Sequence, residues 1–155
     1  TYLRETADAW DACVDGWLYV RGTATAGRLG VDGYYARILP PGAVEPAAPG
    51  QESARLRAAA AGGQDVPAHE VVSVDALALV RYGLRAADDP KVINSLRAVD
   101  ATLKLETDRG PVWHRYTADR FGEHDDGAAF EADNKGRGRA WPLLTGERAH
   151  YELAR

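Results

Sequence analysis

Apolar residues return along the first segment, TYLRETADAWDACVDGW, at steps of three and four: Leu3, Ala7, Trp10, Val14 and Trp17. That spacing lines one side of a helix, and Arg4, Glu5, Asp8, Asp11 and Asp15 take the other. The pattern predicts a helix whose two tryptophans pack in a core. Gly16 falls near its end. Helical spacing returns at Val74, Leu77, Val80 and Leu84, with Ser73 placed to cap a helix that reaches Ala87. Asp88-Asp89-Pro90 then closes that helix and opens another, with Asp89 as cap and Pro90 in the first turn. Ile93, Leu96, Val99 and Leu103 form the next buried stripe. So short a connection makes the two helices antiparallel neighbours. A last helix begins near Pro142, with Leu144, Tyr151 and Ala154 toward the core. The sequence reaches Arg155 with no Gly or Asn to cap it, as expected of a helix cut from a larger structure.

Between the helices the pattern changes. Residues 32–39, DGYYARIL, have strand propensity and lie between Gly27, Gly30 and Gly33 on one side and Pro40-Pro41 on the other. Residues 40–68 are rich in proline and alanine. They read as a long surface excursion with a short helix at residues 51–61. Gly110-Pro111 ends the helical stretch, and residues 111–116 are short and extended. Residues 117–140 are polar and glycine-rich, without periodicity or repeat. The elements sum to a mainly α chain with short strand segments and two long loops. Loops of this length in a compact domain often carry function.

Composition narrows the function classes. A length of 155 residues suits one domain. The 19 basic and 23 acidic residues are intermixed and give a net charge of −4, so no basic face points to nucleic acid. No apolar run approaches the ~20 residues of a membrane span. No secretion leader is visible, which leaves the compartment open between secreted and cytoplasmic. The single cysteine, Cys13, excludes an internal disulfide; beside Val14 in a helical pattern it reads as a small buried apolar group, not a nucleophile.

The second loop, PVWHRYTADRFGEHDDGAAFEADNKGRGRAWP at residues 111–142, interleaves aromatics, arginines and carboxylates. A sugar ring offers apolar C–H faces to an aromatic plane and hydroxyls to guanidinium and carboxylate groups, so this mixture suits carbohydrate recognition. GRGR is too short for a phosphate cradle and lacks the Lys-Ser/Thr of a P-loop. EHDD, residues 123–126, has metal-ligand residue types, but adjacent side chains point apart and no EF-hand spacing is present. No nucleophile elbow accompanies His114 and Asp119. No cofactor or metal is expected.

In these motifs the chain resembles the bacterial branch of glycoside hydrolase family 15, the glucoamylases and glucodextranases. The stretch GPVWHRYTADRFGEHDDGAAF is similar to that family's Arg-Tyr pair with a following Asp. GRGRAWPLLTGERAHYELA resembles the family's next helix almost throughout. DGYYARILP and LVRYGLRAADDPKVINSLRAVDATLKLET match further segments in order. The resemblance implies an (α/α)6 barrel, of which residues 1–155 would be one sector and a partial catalytic domain, with the remainder of the barrel as its missing partner. It also implies inverting hydrolysis that releases glucose from non-reducing ends of α-glucans or oligosaccharides, with trehalose as a further possible substrate. Inversion uses two carboxyls roughly 6.5–9.5 Å apart. The family's Trp-Glu-Glu acid motif and Glu-Gln base motif are absent here, so neither catalytic carboxylate is expected. By resemblance, Arg115 grips the hydroxyls of the terminal glucose, Tyr116 accompanies it, Asp119 helps hold the site and Trp141 is an aromatic wall. Glu147 reads as structural, held by arginines such as Arg148. The alternative is a stand-alone, non-catalytic helical module that binds carbohydrate or a protein.

Overall fold

The computed structural model describes residues 1–40, 55–57, 65–122, 128–129 and 138–155. Five helices are present among them: α1 (Tyr2–Leu18), α2 (Ala24–Leu29), α3 (Ala78–Arg81), α4 (Pro90–Leu103) and α5 (Pro142–Ala154). Three separate antiparallel strand pairs join them: β1 (Tyr19–Arg21) with β2 (Gly33–Tyr35), β3 (Arg55–Arg57) with β4 (Asp65–Pro67), and β5 (Lys104–Thr107) with β6 (Gly110–Trp113). Among the described residues the pairs do not merge into one sheet, and helices share the core with Tyr19, Val20, Tyr34, Tyr35 and Trp113 of the strands.

α4 is the centre of that core. Asp89 caps it through a bond from the Lys91 N–H, with Pro90 in the first turn, as its sequence predicts. Its buried stripe keeps Leu96, Val99 and Leu103 as expected, but is wider and replaces Ile93 with Val92. Val92, Ser95, Leu96, Val99 and Leu103 are buried, whereas Ile93 is half-buried. The polar member of that stripe has a definite task. The Ser95 hydroxyl donates to the Lys91 carbonyl at 2.7 Å and accepts the Tyr35 N–H at 2.9 Å. It thereby satisfies a buried backbone donor of β2 and fixes β2 on α4. Tyr34, beside it, donates to the His69 carbonyl at 2.8 Å. Burial pushes the Tyr34 phenol up to about 12.

Several expected elements differ. Ser73 does cap, accepting from Asp75, but it opens a 3-10 turn at Val74–Leu77, and only the short α3 comes after that turn. Gly83, at φ 73°, takes the left-handed conformation that ends the helix. Leu84 is therefore exposed, while Val74, Leu77 and Val80 enter the core. Residues 55–57 form β3, not part of a helix; the rest of the 51–61 expectation lies outside the described residues. The strands β1 and β5 were not expected. Each has three or four residues, too few for a periodic signal. Ala154 is exposed and Cys13 only half-buried.

α1 is rotated from its expected orientation: Val14 packs inward as expected, but the tryptophans do not. Trp10 is 64% exposed and Trp17 51%, with Tyr2 and Leu3 also in solvent. Only Val14 and Leu18 of its apolar residues pack against the core. The contacts come instead from its acidic side. The Asp15 carboxylate accepts from the Tyr35 hydroxyl at 2.5 Å, from Arg85 at 3.2 Å and from the Lys91 ammonium. Asp11 accepts from Arg85 at 2.7 Å. Periodicity identifies two sides of a helix, but charges on neighbouring elements decided which side turns inward.

Burial alone would raise the Asp15 carboxyl; bonds from Lys91, Tyr35 and Arg85 overcome it and hold the group near about 2. A group depressed in this way adds stability that is complete above pH ~4, where an unfolded carboxylate is ionised, and is lost as pH falls toward 2. Asp15→Asn is expected to destabilise the fold by about 1–2 kcal/mol at pH 7. Urea unfolding at pH 7, 4 and 2.5 measures this, and the gap to the native chain should narrow across that series. A gap independent of pH would remove the charge from this account.

Candidate functional site

The second loop leaves the core at β6 and returns at α5, and both points are tied to α4. Asp100 of α4 accepts from the Trp113 indole N–H at 2.9 Å and from Arg148 Nε and Nη2 at 3.1 and 3.0 Å. Arg148 also pairs with Glu152, and its guanidinium lies over the Trp113 and Tyr151 rings. Tyr151 donates to the Ala87 carbonyl at 2.8 Å. Next to these anchors His114 and Ala140 form an antiparallel bridge, which draws the two ends of the loop together.

Residues 114–119 are then laid along residues 70–74. Ser73 bridges to Tyr116, and the Thr117 N–H donates to the Val72 carbonyl at 3.0 Å. The Thr117 hydroxyl accepts the Val72 N–H at 3.1 Å and donates to the Glu70 carbonyl at 3.2 Å. Ala118 comes next with φ 63°, in the left-handed region that costs a non-glycine residue about 1 kcal/mol. That reversal lets the Asp119 N–H return to the Tyr116 carbonyl at 3.3 Å.

The consequence is a side-on ion pair. Arg115 Nε and Nη2 donate to the two carboxylate oxygens of Asp119 at 2.6 and 2.8 Å. The Asp119 side chain is 1% exposed and that of Arg115 35%. The Phe121 N–H also donates to Asp119 at 3.0 Å. The bond to Asp119 holds the Arg115 guanidinium above its ordinary range. One edge of the guanidinium is thus occupied, and the rest of the group is partly open to solvent.

The other two residues singled out from the sequence have different surroundings. The Tyr116 ring carries the Arg37 guanidinium at 4.1 Å and that of Arg115 at 5.4 Å, so it packs between cations. Trp141 precedes α5 and is half-buried, with the Arg139 guanidinium 5.6 Å from its ring. Its indole N–H is enclosed without a hydrogen-bond partner among the described residues, as is the Thr145 hydroxyl one turn on. Arg115 and Trp141 are linked through intermediates. Phe121 lies 5.4 Å from Arg115, and its carbonyl accepts the Arg139 N–H at 3.2 Å. An open cleft of about 270 Å³ is lined by Tyr116 and Asp119 with Thr102, His114, Thr117 and Gly138; Arg115 and Trp141 lie outside it.

Glu147 is held as expected, but by a different arginine. Arg81 of α3 donates to it at 2.9 Å, whereas Arg148 is committed to Asp100 and Glu152. EHDD lies outside the described residues, and among those described no group of His, Cys, Asp and Glu could hold a metal ion. No described helix is long and apolar enough to cross a membrane.

Known proteins similar to this chain are glucoamylases. Over 151 residues, 97% of its length, the chain is 40% identical to a glucoamylase of Clostridium sp. (strain G0005). The chain thus resembles part of a bacterial glucoamylase. It spans 20% of that relative's length. A crystal structure of bacterial glucoamylase complexed with acarbose superposes with a TM-score of 0.80 at 39% identity, again over 97% of this chain and 20% of the other. No family model matches. Among the described residues the architecture is mainly α, with separate strand pairs and no closed sheet, and corresponds to a sector of the (α/α)6 barrel.

Removing a buried carboxylate leaves its partner's charge without compensation, and the part-exposed Arg115 keeps some access to water. Asp119→Ala is expected to cost about 2–3 kcal/mol. Glu147→Gln, at a pair with more access to solvent, should cost under about 1 kcal/mol. Chemical denaturation of the two variants tests the order; a costlier Glu147→Gln would contradict it.

Proposed function

We propose that this chain is the sugar-holding part of an inverting glycoside hydrolase that releases glucose from non-reducing ends of α-glucans. In this reading residues 1–155 are part of a catalytic domain, and both catalytic carboxylates come from elsewhere in the barrel. Arg115 presents its open edge to the hydroxyls of the terminal glucose, Tyr116 and Asp119 hold it there, and Trp141 offers an aromatic surface to the ring.

The observation that carries the reading is the Arg115–Asp119 pair. A buried carboxylate bound side-on fixes the plane of the guanidinium, with both bonds at 2.8 Å or less. A planar donor fixed in advance loses little entropy when it meets a hydroxyl. The arginine is the more exposed partner, so it is the one available to a ligand. The bacterial glucoamylase that this chain resembles was crystallised with acarbose, which supports an oligosaccharide as substrate. The assignment of Glu147 as structural is supported by its bond to Arg81. The open side of α1, with Trp10 and Trp17 in solvent, favours a neighbouring element over the alternative of a stand-alone module.

Two measurements test this. The 155-residue chain alone should release no glucose from maltose or isomaltose; turnover that Glu147→Gln abolishes would overturn the assignment of the carboxylates. In the protein that carries this chain, Arg115→Ala should lower kcat/KM on maltose by about 10²-fold or more, the loss expected for a charged hydrogen bond to substrate. An unchanged kcat/KM would sink the sugar-binding role.

A further inference from the structure

GRGR contributes nothing to the proposed sugar contacts, yet Gly138 within it occupies a place that no other residue fits. A Cβ at position 138 would lie 2.7 Å from Asp119 Cβ, 2.8 Å from the Asp119 carbonyl oxygen and 2.9 Å from Asp119 Cγ. Contacts below 3 Å force a displacement, and backbone atoms cannot swing aside as the tip of a long side chain can. Space alone is enough to demand glycine here. Its N–H also donates to the Asp119 carbonyl at 2.9 Å.

Asp119 is therefore fixed from several directions. Gly138 closes on its backbone and Cβ, the Phe121 N–H holds one carboxylate oxygen, and Ala118 sets the direction of the chain behind it. What remains of the carboxylate faces Arg115. We infer that Gly138 is a positioning residue: by allowing close backbone contact with Asp119 it sets the plane of that carboxylate, and with it the orientation of the Arg115 guanidinium. A side-on arginine–carboxylate pair is directional, so a shift of Asp119 is passed on as a rotation of the arginine. The effect on ligands rests on the sugar-binding role proposed for Arg115; the coupling of Gly138 to Arg115 does not.

The experiment uses the protein that carries this chain, with Gly138→Ala as the smallest change that adds a Cβ. The Arg115 Nε–H is followed by NMR, and acarbose affinity by calorimetry. The Nε–H signal should shift and exchange with solvent at least about tenfold faster, as expected when a protecting bond opens more often. Acarbose affinity should fall by about tenfold, in line with a misplaced polar contact. An unchanged Nε–H signal overturns the inference whatever the affinity does. A changed signal with unchanged affinity supports Gly138 as a positioning residue and overturns the sugar-binding role instead; Arg115→Lys with unaltered affinity likewise overturns that role. Should Gly138→Ala fail to fold, exchange in the unsubstituted protein decides. The Gly138 N–H and Arg115 Nε–H should then open together, with protection within about threefold of each other. A Gly138 N–H about a hundredfold less protected than the Arg115 Nε–H would overturn the coupling.

Discussion

The carboxylate of Asp100 is the constraint on which the rest of the structure depends. It sits on α4, the helix that the whole core surrounds, and binds both the last residue of β6 and a residue in the middle of α5. Those elements are far apart in sequence, with a long polar loop between them. Joining them to one rigid point converts that loop from a free excursion into a closed one. Closure of a loop this size costs entropy that grows only slowly with length. The hydrogen bonds and ring contacts around Arg148 oppose that cost, and the His114–Ala140 bridge lies beside the anchor. The Arg115–Asp119 pair is built on that platform.

The same use of charge recurs across the fold. The sequence mixes acidic and basic residues without an evident pattern, and the structure uses them as ties between elements. Arg85 and Lys91 bind α1 through Asp11 and Asp15; Arg81 binds α5 through Glu147; Arg148 binds α4. In each case the cation is partly screened from water, which makes the pair more consequential than a pair on an open surface. Short strand pairs with little area of their own can then be kept in place by helices.

How much of this is legible in the sequence depends on how local its cause is. The start of α4 can be read because a cap and a first-turn proline act within a few residues. The start of α5 can be read from Trp141-Pro142 for the same reason. The inward side of α1 cannot, because the deciding groups lie on β2, on α4 and in the turn between α3 and α4. The strands β1 and β5 are invisible because three or four residues are too few to show a period of two. At the candidate site, Arg115 and Asp119 are marked out by residue type and by family resemblance. Their meeting is not, since it depends on a left-handed alanine that no sequence signal announces. Gly138 stands in plain view in GRGR without showing its purpose, because the reason for a glycine there is the backbone of a residue nineteen positions away.

The uneven placement of the tryptophans gives the molecule a built-in optical reporter. Trp10 and Trp17 stand in water while Trp113 is enclosed at 6% exposure. Indole emission moves to shorter wavelength as water is withdrawn from the ring. Whatever comes to rest on the outer side of α1 would therefore announce itself as a blue shift in intrinsic fluorescence, without any label being attached.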